Sequence, residues 1–96
     1  MNRLIAAAVE QRRLLKLAYT AGNRIVEPHV YGLDGKSREL LRCYQLAGES
    51  ASRERAGWKL LQVDSVAGVE VLDVRFVLRA GYNPDDPTIR EVLARI

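Results

Sequence analysis

The sequence is poor in the residues that build metal sites, disulfide frameworks and nucleophilic active sites. Its 96 residues contain one cysteine, Cys43, and one histidine, His29. A single cysteine excludes an intramolecular disulfide, and a lone Cys and His far apart in sequence are not the ligand set of a zinc site. No P-loop or GxGxxG motif is present, and no third group that would orient a Cys–His pair is identifiable. We therefore expect no metal, no cofactor and no enzymatic activity.

Long apolar runs are also missing. No stretch approaches the roughly 18 uninterrupted apolar residues of a membrane span, and the N-terminus lacks the pattern of a signal peptide. A lone cysteine agrees with a reducing compartment, so we expect a cytoplasmic protein without membrane contact. With 48% hydrophobic residues, a chain of this length builds one small core, and we assign residues 1–96 to a single domain.

Positive charge is concentrated in the first half of the chain. The formal net charge is +3, from 15 Lys and Arg against 12 Asp and Glu. Residues 1–46 carry a net +4 and residues 47–96 a net −1. Most of the cations are arginines, whose planar fork suits bidentate binding of phosphate or carboxylate. An arginine bias also follows from a GC-rich genome, so charge by itself indicates an anionic partner only weakly.

Hydrophobic spacing predicts one helix followed by five strands and a second helix. The first helix spans residues 3–13 with Asn2 as its N-cap. Alternation of apolar and polar residues predicts strands over residues 14–20, 24–31, 38–46, 58–63 and 69–78. Small and charged residues without periodicity predict a mobile hairpin loop over 48–57. Since the connections are too short for parallel crossovers, we expect a mainly β fold with a bent antiparallel sheet or small barrel.

The end of the chain carries a helix-start pattern. Asp86 is placed as an N-cap and Pro87 at the first helical position. Apolar residues then follow at helical spacing, namely Ile89, Val92, Leu93 and Ile96. The sequence therefore predicts a short C-terminal helix.

Several segments in this order resemble the WYL domain of bacterial regulators. They are Leu4-Ile5-Ala6-Ala7-Ala8, Leu15-Lys16-Leu17-Ala18-Tyr19, Arg24-Ile25-Val26-Glu27-Pro28 and Trp58-Lys59-Leu60-Leu61-Gln62-Val63-Asp64-Ser65-Val66. The most specific signals are Tyr19 followed by Arg24-x-Val26-x-Pro28, and the later Val63-Asp64-x-Val66. The resemblance covers residues 3–76. The family's Trp-Tyr-Leu tripeptide aligns with Glu39-Leu40-Leu41, so the chain resembles a divergent, stand-alone branch.

This resemblance implies both a fold and a function. It implies an Sm-like, SH3-type five-stranded antiparallel barrel opened by an N-terminal helix. It also implies a ligand-sensing module of bacterial transcription regulation that binds a nucleotide or short single-stranded nucleic acid. Only one helix precedes the first predicted strand, where regulators of this family carry a helix-turn-helix. We therefore expect no direct promoter binding, and an output that lies in another molecule.

Basic and aromatic residues on the predicted strands form the candidate ligand site. Arginines on neighbouring strands with aromatic residues interleaved are what a groove for single-stranded nucleic acid requires, because cations neutralise phosphates and rings stack on bases. In the predicted loop, Arg53 and Arg55 are additional candidates for phosphate contacts. The candidate ligand-binding residues are Arg24, His29, Tyr31, Arg38, Arg42, Tyr44, Trp58 and Lys59.

Two other interpretations stay open at the level of sequence. Tyr44 and Trp58 also fit the edge of a core, Tyr19 fits an inward position, and the arginines fit ordinary solvated strand faces. The fold also fits a protein-interaction module, in which an exposed edge strand forms a homodimer or docks on a separate regulator.

Overall fold

The chain forms one helix and six strands, as seen in a computed structural model that describes residues 1–48 and 56–96. The helix α1 spans Arg3–Gln11. The strands are β1 (Arg13–Tyr19), β2 (Gly22–Leu33), β3 (Glu39–Gly48), β4 (Gly57–Gln62), β5 (Gly68–Arg75) and β6 (Glu91–Arg95). A single 3-10 turn, Val63–Ser65, lies between β4 and β5. The expectation of a mainly β fold is confirmed.

Helix α1 begins and ends through local hydrogen bonds. The Asn2 side chain accepts the backbone N–H groups of Leu4 and Ile5 at 3.0 and 3.1 Å, which confirms the predicted N-cap. The helix ends before residue 13 because Arg12 adopts a left-handed conformation with φ 54°. Neither α1 nor any other helix of the described residues is long and apolar enough to cross a membrane.

The six strands form one open antiparallel sheet instead of the expected five-stranded barrel. The order is β4-β3-β2-β1-β5, and β6 pairs with β2. After the 3-10 turn, the Ala67 N–H donates to the Ala18 carbonyl at 2.7 Å, which directs β5 to β1 and away from β4. Within the described residues β4 and β5 are therefore the two ends of the path. Most of the predicted loop over 48–57, including Arg53 and Arg55, lies outside the described residues.

The predicted C-terminal helix is wrong, because residues 91–95 form β6. Asp86 does accept the Thr88 backbone N–H at 3.0 Å, but this closes a turn only. The Arg90 N–H then donates to the Leu33 carbonyl at 2.8 Å and leads the chain into the sheet. Strand β1 pairs with one edge of β2 only as far as Val26. Farther along the same edge, β6 pairs with residues 30–33 of β2 and satisfies their backbone hydrogen-bonding groups.

Each face of the sheet carries its own cluster of buried side chains. We call the face covered by α1 the helix face; Leu41 and Cys43 of β3 belong to its core. We call the opposite side the loop face, because Tyr82 and Ile89 from the irregular segment 76–90 pack there against Val30, Leu40 and Leu60. Since side chains alternate along a strand, β3 directs Arg42 and Tyr44 to the loop face. This face positions the candidate site.

Candidate functional site

An aromatic cluster lies on the loop face around His29. The imidazole centroid is 4.8 Å from the ring of Trp58, 5.2 Å from Phe76 and 5.3 Å from Tyr82. Tyr44 lies directly opposite Trp58 in the β3–β4 ladder, and their rings meet edge to face at 5.6 Å. The register of β2 against β3 shifts between Pro28 and Val30, so His29 occupies an irregular position in the ladder.

The His29 side chain is completely buried, and its two hydrogen bonds fit one tautomer of the neutral imidazole. Nδ1 lies 2.9 Å from the Glu27 carbonyl oxygen, which can only accept, so Nδ1 carries the proton. Nε2 accepts the backbone N–H of Arg79 at 3.2 Å. Burial lowers the pKa of His29 from its ordinary value near 6.5. The site therefore contains a neutral imidazole whose two nitrogens are both engaged.

An ion pair beside the cluster joins β2 to the irregular segment. Arg79 donates to both carboxylate oxygens of Glu27, at 2.7 and 3.1 Å, and its guanidinium lies 4.0 Å from the centroid of the Tyr44 ring. Glu27 is buried. A groove of about 380 Å³ runs along this pair between Tyr44 and the residues Val77, Leu78 and Ala80. Bidentate pairing and cation–π contact together hold Arg79 in one orientation.

A pocket of about 340 Å³ opens on the other side of Trp58. It is lined by Arg42, Trp58, Gly81, Asn83, Asp86, Pro87 and Thr88. The indole and the Pro87 ring are apolar, whereas Arg42, Asn83, Asp86 and Thr88 offer hydrogen-bond donors and acceptors. A Cβ atom at Gly81 would lie 3.2 Å from Trp58 Nε1, and φ there is +90°, so glycine lets the backbone approach the indole.

Arg42 and Asp86 form an ion pair in this pocket. Arg42 Nε donates to Asp86 Oδ2 at 2.6 Å, and the two side chains are 26% and 8% exposed. Burial by itself would raise the pKa of Asp86, but hydrogen bonds from Arg42 and Thr88 outweigh it and hold the pKa below its usual range. The pocket therefore offers a guanidinium and a carboxylate side by side, with little net charge.

The structure brings four of the eight predicted residues together. His29, Arg42, Tyr44 and Trp58 share the loop face. Lys59 lies opposite Cys43 in the β3–β4 ladder, on the helix face. The remaining three, Arg24, Tyr31 and Arg38, lie elsewhere.

Each of those three residues has its own local partners. Arg24 lies opposite Gly48, about 20 Å along β2 from the position facing Arg42. Its guanidinium stacks 4.6 Å from the Tyr19 ring centroid and donates to Gln45. Arg38 pairs with Asp34 at 2.7 Å across an exposed turn. The structure therefore does not bring Arg24, Arg38 and Arg42 together in one groove.

Tyr31 is part of the core and supports the start of α1. Its side chain is fully buried; the hydroxyl accepts the Asn2 backbone N–H at 2.7 Å and donates to the Glu39 carboxylate. Burial, opposed by the Asn2 bond and reinforced by Glu39, raises the pKa of Tyr31 to about 12. A ligand cannot contact this ring while the helix start is in place.

Sequence reasoning missed the contribution of the irregular segment to the site. Phe76, Arg79 and Tyr82 complete the cluster around His29. Asn83, Asp86 and Thr88 line the pocket. The sequence pattern places Asp86 as a helix N-cap and contains no sign that this residue faces an arginine 44 positions earlier.

Searches against protein families, curated proteins and solved structures found no match. Within residues 1–48 and 56–96, no group of three His, Cys, Asp or Glu side chains is arranged to hold a metal ion. The candidate function therefore depends on the geometry of the loop face.

Proposed function

We propose that this chain is a ligand-sensing module that binds a nucleotide or a short single-stranded nucleic acid on its loop face and serves bacterial regulation without catalysis. One observation carries the proposal. Arg42 and Trp58, on adjacent strands, line a single pocket of about 340 Å³ with polar groups from the irregular segment. Pockets that combine an aromatic wall with a few placed polar groups are typical of small-ligand sites.

The chemistry of the pocket suits a base with its phosphate. Every base has a flat face that can stack on an aromatic ring, and its edge carries donors and acceptors that an arginine or a carboxylate can pair. Asp86 holds the Arg42 guanidinium at the pocket wall. A phosphate that reached Arg42 would share or replace Asp86 as the acceptor, through the same charge-assisted geometry.

The order of the strands supports an opened Sm-like arrangement for this module. A five-stranded meander barrel pairs each strand with its neighbour in the chain and closes β5 onto β1. Pairs β1–β2, β2–β3, β3–β4 and β1–β5 are all present, and a helix precedes β1. Among the described residues, only the β4–β5 pair of such a barrel is missing.

Titration with labelled oligonucleotides tests the proposal. We expect rhodamine-labelled oligothymidylate or oligouridylate of about ten nucleotides to bind saturably. Affinity should fall as salt rises from about 50 to about 200 mM, because phosphate contacts release counterions. Stacking should also change the fluorescence of Trp58, the only tryptophan of the chain. Adenosine and guanosine monophosphates serve as competitors that identify a nucleotide ligand.

Matched variants locate the site. Arg42→Gln should weaken binding by about tenfold or more, since it removes a charged hydrogen bond to phosphate. Arg38→Gln is the control, because Arg38 makes a similar ion pair in a turn away from the pocket. The double change Arg42→Gln with Asp86→Asn removes both charges but lets the two side-chain amides hydrogen-bond to each other. Binding that stays weak in the double variant is due to the lost charge, whereas binding that recovers was weakened by disturbance of the turn. Absence of binding at low salt, or binding indifferent to removal of Arg42, contradicts the proposal.

A second candidate function, a protein-interaction module, is favoured by an exposed apolar stretch at the end of β5. Val77 is 80% exposed, and Val74 and Leu78 are also exposed. The outer edge of β5 has no partner strand in the described part of the chain. Such an edge is a template for pairing with a second copy or another regulator. Light scattering over a range of concentrations decides for the homodimer: a monomer throughout excludes it, and Val77→Asp should dissociate one that forms.

A further inference from the structure

His29 connects the core of the sheet to the segment that forms the Trp58 pocket. Its Nε2 accepts the Arg79 N–H, and the Arg79 carbonyl in turn accepts the Tyr82 N–H at 3.2 Å. Gly81 and Asn83, on either side of Tyr82, line the pocket. The imidazole therefore holds the backbone from which one wall of the pocket is built.

A second proton on His29 is incompatible with these contacts. Protonated imidazole is a donor at both nitrogens, so Nε2–H would face the Arg79 N–H, donor against donor. The new cation would lie in a fully buried position among the rings of Trp58, Phe76 and Tyr82. Burying an unpaired charge in such surroundings is strongly unfavourable.

Among the groups around His29, Glu27 favours a second proton on the imidazole, but burial outweighs it and two nearby cations oppose it. From β2 comes Glu27, whose two carboxylate oxygens are already held by Arg79. The irregular segment brings the Arg79 cation and the Tyr82 hydroxyl, and the end of α1 brings the Arg12 cation. Both cations oppose a third positive charge, and β4 brings the uncharged indole of Trp58 against the imidazole.

We propose that His29 is an acid-sensitive switch: its protonation breaks the bond to the Arg79 backbone, releases residues 79–83 and dismantles the pocket beside Trp58. The opening of residues 79–83 involves no ligand. That acid also releases a bound nucleotide or oligonucleotide rests on the proposed function.

The direction of the pH dependence follows from the hydrogen bonds of His29, because only the neutral imidazole can accept the Arg79 N–H. Burial lowers the pKa of His29 in the closed state, whereas an opened, hydrated imidazole titrates near 6.5. The stabilisation of the closed state is therefore complete above about pH 6.5 and is lost as pH falls through the lowered pKa. We expect the segment to be closed at neutral pH and to open in acid.

Because the chain contains one histidine, imidazole signals in the unmodified protein can be assigned to His29. NMR of the imidazole should show the Nδ1–H tautomer at about pH 7.5 and protonation with a midpoint below about 6.5. The protection of the Arg79 amide against hydrogen exchange should fall at least about tenfold across the same transition, while core amides such as Leu41 keep their protection. Protonation without loss of Arg79 protection, or a neutral imidazole until global unfolding, overturns the switch.

A non-titrating variant separates His29 from the carboxylates. In His29→Gln the amide oxygen can still accept the Arg79 N–H but gains no proton, so Arg79 protection should stay constant between about pH 7.5 and about pH 5. If this variant does not fold, the NMR of the unmodified protein still decides.

With rhodamine-labelled oligothymidylate we expect affinity to fall at least about tenfold in the same range. Binding at both pH values alike refutes the coupling; no binding at about pH 7.5 defeats the proposed function and leaves the exchange result to judge the switch.

Discussion

Replacement of Gly32 by alanine tests whether the last segment is a strand. Gly32 lies in β2 opposite Val92, where the register between β2 and β6 shifts. A Cβ atom there would lie 2.3 Å from the Glu91 carbonyl oxygen and 2.5 Å from Ile89 Cγ2. Ordinary contact begins at 3.4 Å, so the β2–β6 ladder has to open by about an ångström. The clash involves backbone, which a rotamer change cannot relieve.

The size of the effect follows from what the displaced segment buries. Overpacking costs about 1–3 kcal/mol. Detachment of the segment would also expose Ile89, now 7% exposed, at about 2 kcal/mol. We therefore expect Gly32→Ala to lower the free energy of unfolding by about 3–5 kcal/mol, and Tm by at least roughly 12 °C.

Urea and thermal unfolding followed by circular dichroism measure this loss, with Gly35→Ala as the matched control. An added Cβ at Gly35 meets nothing within 4 Å, so this variant should unfold like the parent protein within about 0.5 kcal/mol. If the chain ended in a helix away from β2, Gly32→Ala would behave like its control. Equal stability of the two variants would refute the assignment of β6.

Three more predictions follow from the described contacts. Asn2→Ala removes the acceptor for two N–H groups of α1 and should lower the free energy of unfolding by about 1 kcal/mol in urea titrations, whereas Asn2→Asp should keep most of it. Tyr31, with its pKa raised to about 12, is stabilising below its ordinary pKa of 10 and loses this contribution as pH rises towards 12; ultraviolet titration of the phenols should show this late ionisation, and a full set of tyrosines ionising near 10 contradicts it. Burial raises the pKa of Cys43 to about 12, so a thiol reagent at about pH 8 should modify it only after unfolding; prompt labelling of the folded protein would disprove its burial.

Local chemistry made much of the fold predictable. The Asn2 amide and the alternation in residues 14–20 act over a few residues, so they indicate a helix start and a strand wherever they occur. The segment after Asp86 was ambiguous, because Ile89, Val92 and Leu93 fit helical spacing and short apolar strands alike. What decided it was the unpaired edge of β2 at residues 30–33, which exists only once the sheet has formed.

The site was less predictable for the same reason. A cation on a strand has the same sequence signature whether it faces solvent or a carboxylate. Arg38 pairs with Asp34, four positions away, so a local sequence pattern can predict this contact. Arg42 pairs with Asp86, which is distant in sequence, so no local pattern predicts that one. The neighbours of His29 depend on a register shift in β2 and on an irregular segment that no periodicity describes.

The division of one β2 edge between β1 and β6 has a consequence for the order of assembly. The hairpins β1–β2 and β2–β3 join residues close in sequence, so they can form early, whereas Val30 meets Arg95 only by closing most of the chain into a loop. Until that closure, half of the β2 edge carries unpaired N–H and C=O groups beside buried apolar residues. A growing polypeptide passes through this stage on the ribosome, and its vulnerability to strand exchange with a neighbouring nascent chain ends when β6 is added.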